Sequence, residues 1–146
     1  MEAAIQTFIN SKRLALVGVS RGGKKFGNMA HKELKARGYQ TFIVHPQAAE
    51  LGGERCYPNL AALSGKVDGV WICVPPKQAT EVLREAVAAG MRNIWLQQGS
   101  ESPEVLKLAR ELGLSPISGK CILMYAPPVG SFHKFHHFFA RLFGKL

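Results

Sequence analysis

The densest chemistry in the sequence lies between two glycines, in Gly18-Val19-Ser20-Arg21-Gly22-Gly23-Lys24-Lys25-Phe26-Gly27. Glycines let backbone N–H groups close on an anion, because they add no Cβ and tolerate unusual backbone angles. Arg21, Lys24 and Lys25 add positive charge, and the Ser20 hydroxyl is expected to donate one more hydrogen bond. Before the loop, Leu14-Ala15-Leu16-Val17 is a compact apolar run typical of a buried strand. After it, Met29, Ala30 and Leu34 recur at helical spacing. Such a loop offers a phosphate the free N–H groups and positive dipole end of the following helix. Its spacing is close to G-x-G-x-x-G but is not that motif. Ser20 stands where the second glycine would be, and the loop is longer. The Walker pattern G-x-x-x-x-G-K-[ST] is absent.

Charge supports an anionic ligand. The chain has 146 residues, with 19 Lys and Arg against 10 acids and a formal charge of +9. Lys12, Arg13, Arg21, Lys24, Lys25, Lys32, Lys35 and Arg37 cluster together, with Glu33 the one acid among them. So concentrated a field points to phosphates. The second strand, Thr41 to Val44, ends in His45-Pro46, and the next acid is Glu50. A site for NAD usually places an acid there for the ribose hydroxyls. NAD is therefore disfavoured, and a nucleotide with an extra ribose phosphate, NADP or coenzyme A, fits the cations better.

The elements that position this loop alternate in type. Helices are expected at Glu2–Ser11, Gly27–Arg37, Gln78–Ala89 and Pro103–Leu112, with Gly38 and Gly90 as stops. Ser102 caps the last of these, with Pro103 at its first position. Strands are expected at 14–18, 41–44, 69–74, 93–97 and 115–118. A short helix is expected at Leu60–Leu63 within an otherwise loop-rich stretch, residues 47–65. The fold class is α/β: a Rossmann-like, doubly wound, mainly parallel five-stranded sheet flanked by helices in a single domain. In such folds ligands bind beyond the carboxyl ends of the strands, where strand order reverses. The loops after Gly18, Val44, Val74 and Gln97 are the ones to inspect.

An apolar share of 47% and a charged share of 20% are ordinary for a globular chain and exclude a disordered one. MEAAIQTFIN lacks the basic start and long apolar core of a signal peptide, and no apolar run approaches a membrane span. A cytoplasmic protein is expected. Cys56, Cys73 and Cys121 are far apart and fit neither a disulfide framework nor a zinc site.

In its ordered short motifs the chain resembles the small, stand-alone CoA-binding domain proteins, relatives of the CoA-binding domain of the succinyl-CoA synthetase α-subunit. The matching stretches are Leu14-Ala-Leu-Val-Gly-Val-Ser-Arg21, Gly38-Tyr39, Val44-His45-Pro46, Tyr57-Pro58-Asn59-Leu60, Val67-Asp68, Val74-Pro75-Pro76, Ile94-Trp-Leu-Gln-Gln-Gly99 and Lys120-Cys121. The resemblance covers residues 10–125. It implies a Rossmann-like sheet that binds CoA through its 3′-phospho-ADP part. By matched position, Val19, Ser20 and Arg21 contact the diphosphate, while Lys24 and Lys25 supply charge. His45 and Pro46 flank the adenosine, and Val74, Pro75 and Pro76 line the cleft opposite. Gln98 and Gly99 lie nearer the pantetheine arm. Gly18, Phe26 and Gly27 complete the binding loop. The family often follows its cysteine with an acidic-histidine-arginine run. Here Ile122-Leu-Met-Tyr-Ala-Pro-Pro128 takes that place.

The tail, residues 132–146, reads as a basic aromatic helix with Phe132, Phe135, Phe139, Leu142 and Phe143 on one face. It is expected to pack on the domain, residues 1–131, or to make a homodimer or peripheral contact. His133 and His137 are helical neighbours without a third ligand, so no metal is expected. No nucleic-acid-binding pattern is present. No Ser/His/Asp, Cys/His or paired-carboxylate set suggests catalysis, so no catalytic residue is named. The reading is a module that binds CoA or an acyl-CoA. The alternatives are an enzyme using NADP or CoA, or a nucleotide-sensing regulatory domain acting through its tail.

Overall fold

A computed structural model describes residues 2–127. Helix α1 spans Glu2–Ile9 and leads into strand β1, Arg13–Val17. Helix α2, Phe26–Ala36, returns the chain to β2, Gln40–Val44. A hairpin follows, β3 at Glu50–Leu51 and β4 at Glu54–Tyr57. A 3-10 turn at Leu60–Leu63 precedes β5, Gly69–Ile72. Then come α3, Pro76–Ala88; β6, Ile94–Gln97; α4, Pro103–Glu111; and β7, Ile117–Lys120. A last 3-10 turn covers Ile122–Met124.

The strands form one sheet in the order β3-β4-β2-β1-β5-β6-β7. All neighbours are parallel except β3 and β4. The chain moves outward from β1 to β2, then crosses to β5 on the other side of β1. Strand order therefore reverses between β1 and β5, directly beside the glycine-rich loop.

Alternation along the strands divides the core into two layers. Leu14, Leu16, Trp71, Trp95 and Ile117 face α1, α2 and the Ile122–Met124 turn. Ala15, Val70, Ile72, Ile94 and Leu96 face α3, α4 and the Leu60–Leu63 turn. β5 and β6 are buried throughout, as central strands covered on both faces must be.

The sheet has seven strands, not five. The five expected strands are β1, β2, β5, β6 and β7, and the other two form the hairpin inside the stretch read as loop. β3 has two residues and carries no apolar pattern. Its turn, Gly52-Gly53, has positive φ at both positions (57° and 82°), which suits a tight two-residue hairpin. β7 begins two residues later than expected, and its pairing with β6 is irregular between Trp95 and Gln97. The expected Ser102 cap is present, its side chain accepting from the Val105 N–H at 3.1 Å. The tail expected at 132–146 lies outside the described residues. No described helix is long and apolar enough to cross a membrane.

Candidate functional site

The loop is built on contacts that exclude side chains. Gly18 ends β1 with φ +132°, and a Cβ there would lie 2.1 Å from the carbonyl oxygen of Cys73. A Cβ on Gly27 would lie 2.1 Å from the carbonyl oxygen of Gly18. The first turn of α2 therefore rests directly on the end of β1, which itself rests on the end of β5. Only glycines allow three backbones to approach this closely.

Val19 and Phe26 turn their side chains into the core, which leaves only their backbone to face the loop. Arg21, Lys24 and Lys25 are exposed, and none joins an ion pair among the described residues. The first turn of α2 carries no acid, and Lys25 caps it without a side-chain hydrogen bond. Positive charge and the helix dipole thus add without internal neutralisation.

Ser20 is tied to α2 through Asn28. Its hydroxyl donates to Asn28 Oδ1 at 2.8 Å, and its N–H reaches the same oxygen at 3.2 Å. Asn28 Nδ2 donates back to the Ser20 carbonyl at 2.8 Å. Both Ser20 donors are engaged, so this residue fixes the loop to α2. Asn28 braces the glycine-rich loop and was not singled out from the sequence. Its one signal was its place in the first turn after a glycine-rich loop.

At the end of β2, His45 Nδ1 accepts from the N–H groups of Gln47 and Ala48, at 3.1 and 3.0 Å. An acceptor Nδ1 puts the ring proton on Nε2. His45 therefore presents a donor where an NAD site would present a carboxylate, and Pro46 beside it is exposed.

Across the switch point, Val74 and Pro75 lead into α3, which Pro76 opens at its first position. The Val74 N–H donates to Ser100 Oγ at 3.1 Å, and that hydroxyl donates to the Ile72 carbonyl at 3.3 Å. The buried Ser100 thereby ties the loop after β5 to the loop after β6. Gln98 and Gly99 are exposed in the latter loop. The Glu101 carboxylate accepts from the N–H groups of Gly99 and Gly119, each at 3.2 Å. Ser100 and Glu101 were also missed, since their partners are distant in sequence. The predicted residues of the loops after β1, β2, β5 and β6 thus all lie along one carboxyl edge. A cavity of about 420 Å³ between the first turns of α3 and α4 is lined by Pro76, Lys77, Thr80, Ser102, Pro103 and Glu104. Of the residues read as ligand-binding, only Pro76 reaches it.

On the α2 side of this edge lie two thiols and an amide. Burial pushes the Cys73 thiol up to about 12, with Cys121 adding to the rise and Lys25 opposing it. Burial also raises Cys121, against the Gln97 amide, the Leu123 and Met124 N–H groups and the Arg37 charge. The two cysteines follow β5 and β7, with β6 between them. Two strand spacings, roughly 10 Å, are too far for a disulfide. Gln97 is fully buried at the end of β6. Its Oε1 accepts from Trp71 Nε1 and from the Ile122 N–H, both at 3.1 Å.

The profile of a family described as the CoA binding domain matches residues 12–127. The chain belongs to that family. Among solved structures of similar fold is a conserved hypothetical protein from Pyrococcus furiosus. It is 36% identical, with a TM-score of 0.72 over 76% of this chain and 96% of that one. An uncharacterized protein of Bacillus subtilis is 29% identical over 77% of this chain and 83% of its own length. The alpha subunit of an ADP-forming acetate–CoA ligase II from Pyrococcus furiosus is 26% identical over 79% of this chain. That match spans 28% of the ligase subunit. Membership agrees with the seven-stranded, mostly parallel sheet.

Proposed function

We propose that this chain binds coenzyme A, or an acyl-CoA, through its 3′-phospho-ADP part on loop 18–27, as a binding module without chemistry of its own. The observation that carries this reading is the stacked Gly18–Gly27–Cys73 backbone. It sets the α2 N-terminus and three exposed cations, in no ion pair among the described residues, at the switch point of a CoA binding domain fold. The diphosphate lies over the N–H groups at the start of α2, and Arg21, Lys24 and Lys25 close around the phosphates. His45 and Pro46 flank the adenosine, with Val74, Pro75 and Pro76 opposite. Gln98 and Gly99 border the pantetheine arm.

His45 supports CoA over NAD, because a ring N–H replaces the acid that would hold the ribose hydroxyls. NADP remains the second reading, on the strength of the cations alone. Thermal unfolding with each ligand in turn tests the choice. CoA and 3′-phospho-ADP should raise Tm in a concentration-dependent way, and NAD should not. A larger shift with NADP than with CoA would overturn the assignment.

A further inference from the structure

The end of β2 carries a side chain that is held at every point but one. The His45 N–H donates to the Tyr57 carbonyl at 2.9 Å, which extends the β2–β4 pairing one residue past the strand. Ring atom Nδ1 accepts from the Gln47 and Ala48 N–H groups. Two donors aimed at one ring nitrogen leave no place for a proton there, so the ring proton sits on Nε2. Nε2 has no hydrogen-bond or ion-pair partner among the described residues, and the residue is partly exposed.

The register fixes where this donor stands. Val17 pairs with Val44 across β1 and β2, so His45 lies beside Gly18, one strand spacing of about 4.8 Å away. Ile43, two residues earlier, packs in the layer with α2. Ala48, whose N–H holds the ring, packs there too. The imidazole therefore stands on the α2 side of the sheet, the side into which loop 18–27 leads. In doubly wound folds the residue at the end of the second strand meets the ribose of an adenine nucleotide. A carboxylate there accepts from free ribose hydroxyls. A fixed N–H donor instead gains most from an ionised acceptor, since charge-assisted hydrogen bonds are about twice as strong as neutral ones.

We propose that His45 is the specificity residue for a phosphate monoester on the adenosine ribose, with Nε2–H donating to a phosphate oxygen. The proposal rests on the nucleotide reading above and deepens it. Loop 18–27 offers backbone N–H groups and charge to the diphosphate, which ADP also has. His45 selects the further phosphate that ADP lacks. Because Nδ1 is already held, the ring loses little freedom when Nε2–H engages. A ribose phosphate at the 3′ position belongs to coenzyme A and one at the 2′ position to NADP, and the test separates them.

The test measures calorimetric affinities of 3′-phospho-ADP, 2′-phospho-ADP and ADP for the wild type, His45→Asn and His45→Gln. The Asn oxygen replaces Nδ1 toward the Gln47 and Ala48 N–H groups and leaves nothing at the place of Nε2. The Gln amide supplies an N–H near the place of Nε2 and no acceptor near Nδ1. The wild type should prefer 3′-phospho-ADP to ADP by at least about tenfold, with 2′-phospho-ADP behind. His45→Asn should lose most of that preference and keep its Tm. His45→Gln should keep most of the preference and show a lower Tm. The preference is a ratio, so a general weakening of the cleft cancels from it. An unchanged ratio in His45→Asn, or losses in the two variants that simply follow Tm, would overturn the proposal. Equal wild-type affinity for 3′-phospho-ADP and ADP removes the proposal alone, whereas no binding of any of the three nucleotides removes the parent reading as well. A preference for 2′-phospho-ADP that His45→Asn abolishes would support the role of His45 and move the ligand to NADP.

Discussion

Position 27 and the carbonyl of Gly18 are in direct apposition: a Cβ at residue 27 would stand 2.1 Å from that oxygen. The relationship joins the strand end to the helix start and leaves no room for a side chain between them. Gly27→Ala should therefore push α2 off β1. The expected cost is about 1–3 kcal/mol of stability, with CoA binding lost. Gly22→Ala is the control, because Gly22 has open space around its Cα and no left-handed backbone. It should fold and bind as the wild type does. Urea unfolding and calorimetry on both variants check the contrast.

The loop cations should act through charge alone. The change of Lys24 and Lys25 together to Ala should weaken CoA binding about tenfold and make its salt dependence shallower. Thermal stability should hardly move, since neither lysine joins an ion pair among the described residues. Titrations at two or more salt concentrations measure the slope.

Asn28 should matter through Ser20. Asn28→Ala removes the acceptor of two Ser20 donors and the donor to its carbonyl. The expected stability loss is about 1–2 kcal/mol, with a larger effect on CoA affinity because the loop loses its fixed shape. Ser20→Ala should produce a milder form of the same defect. A variant that bound CoA normally would show that the Ser20–Asn28 pair plays no part in shaping the site.

Arg37 holds the chain beyond β7. Its guanidinium, 2% exposed, meets the Glu33 carboxylate and the Leu123 and Ala126 carbonyls. Arg37→Met should cost about 3 kcal/mol by leaving those acceptors unpaired. Arg37→Lys should not restore the loss, because a single ammonium cannot reach all three acceptors. Chemical denaturation of both variants gives the comparison.

Acid should loosen the joint between α2 and the β4 edge. Burial alone would raise Glu54, but hydrogen bonds from Lys35, His31 and Thr41 together hold it below its usual value of 4.5. A carboxylate whose folded pKa is depressed adds stability above the unfolded pKa and loses it as pH falls through the folded one. Stability should therefore decline below about pH 4.5, with Glu54→Gln showing a shallower decline. Denaturation midpoints from pH 6 to about 3 test the sign.

The alternating pattern of apolar runs and helical periodicities made the five parallel strands legible, and Ser102-Pro103 marked a helix start that the structure reproduces. The β3–β4 hairpin was hidden because a two-residue edge strand has no periodicity, and its Gly-Gly turn was read as loop. At the site, glycines and cations were visible because their chemistry is local to the loop. Asn28, Ser100, Glu101 and Gln97 were not, because each acts on a backbone or side chain that only the fold brings near. Ser20 gains a partner in the fold that the sequence does not show: its hydroxyl is engaged by Asn28 once α2 is in place.

On the coenzyme A proposal, affinity resides in phosphate capture at loop 18–27. Calorimetric titration of the protein with CoA, 3′-phospho-ADP, NADP and NAD in one buffer tests it most directly. CoA should bind, 3′-phospho-ADP should largely reproduce that binding, and NAD should fall well behind both. Tighter binding of NADP or NAD, or a 3′-phospho-ADP that fails to bind where CoA does, would contradict it.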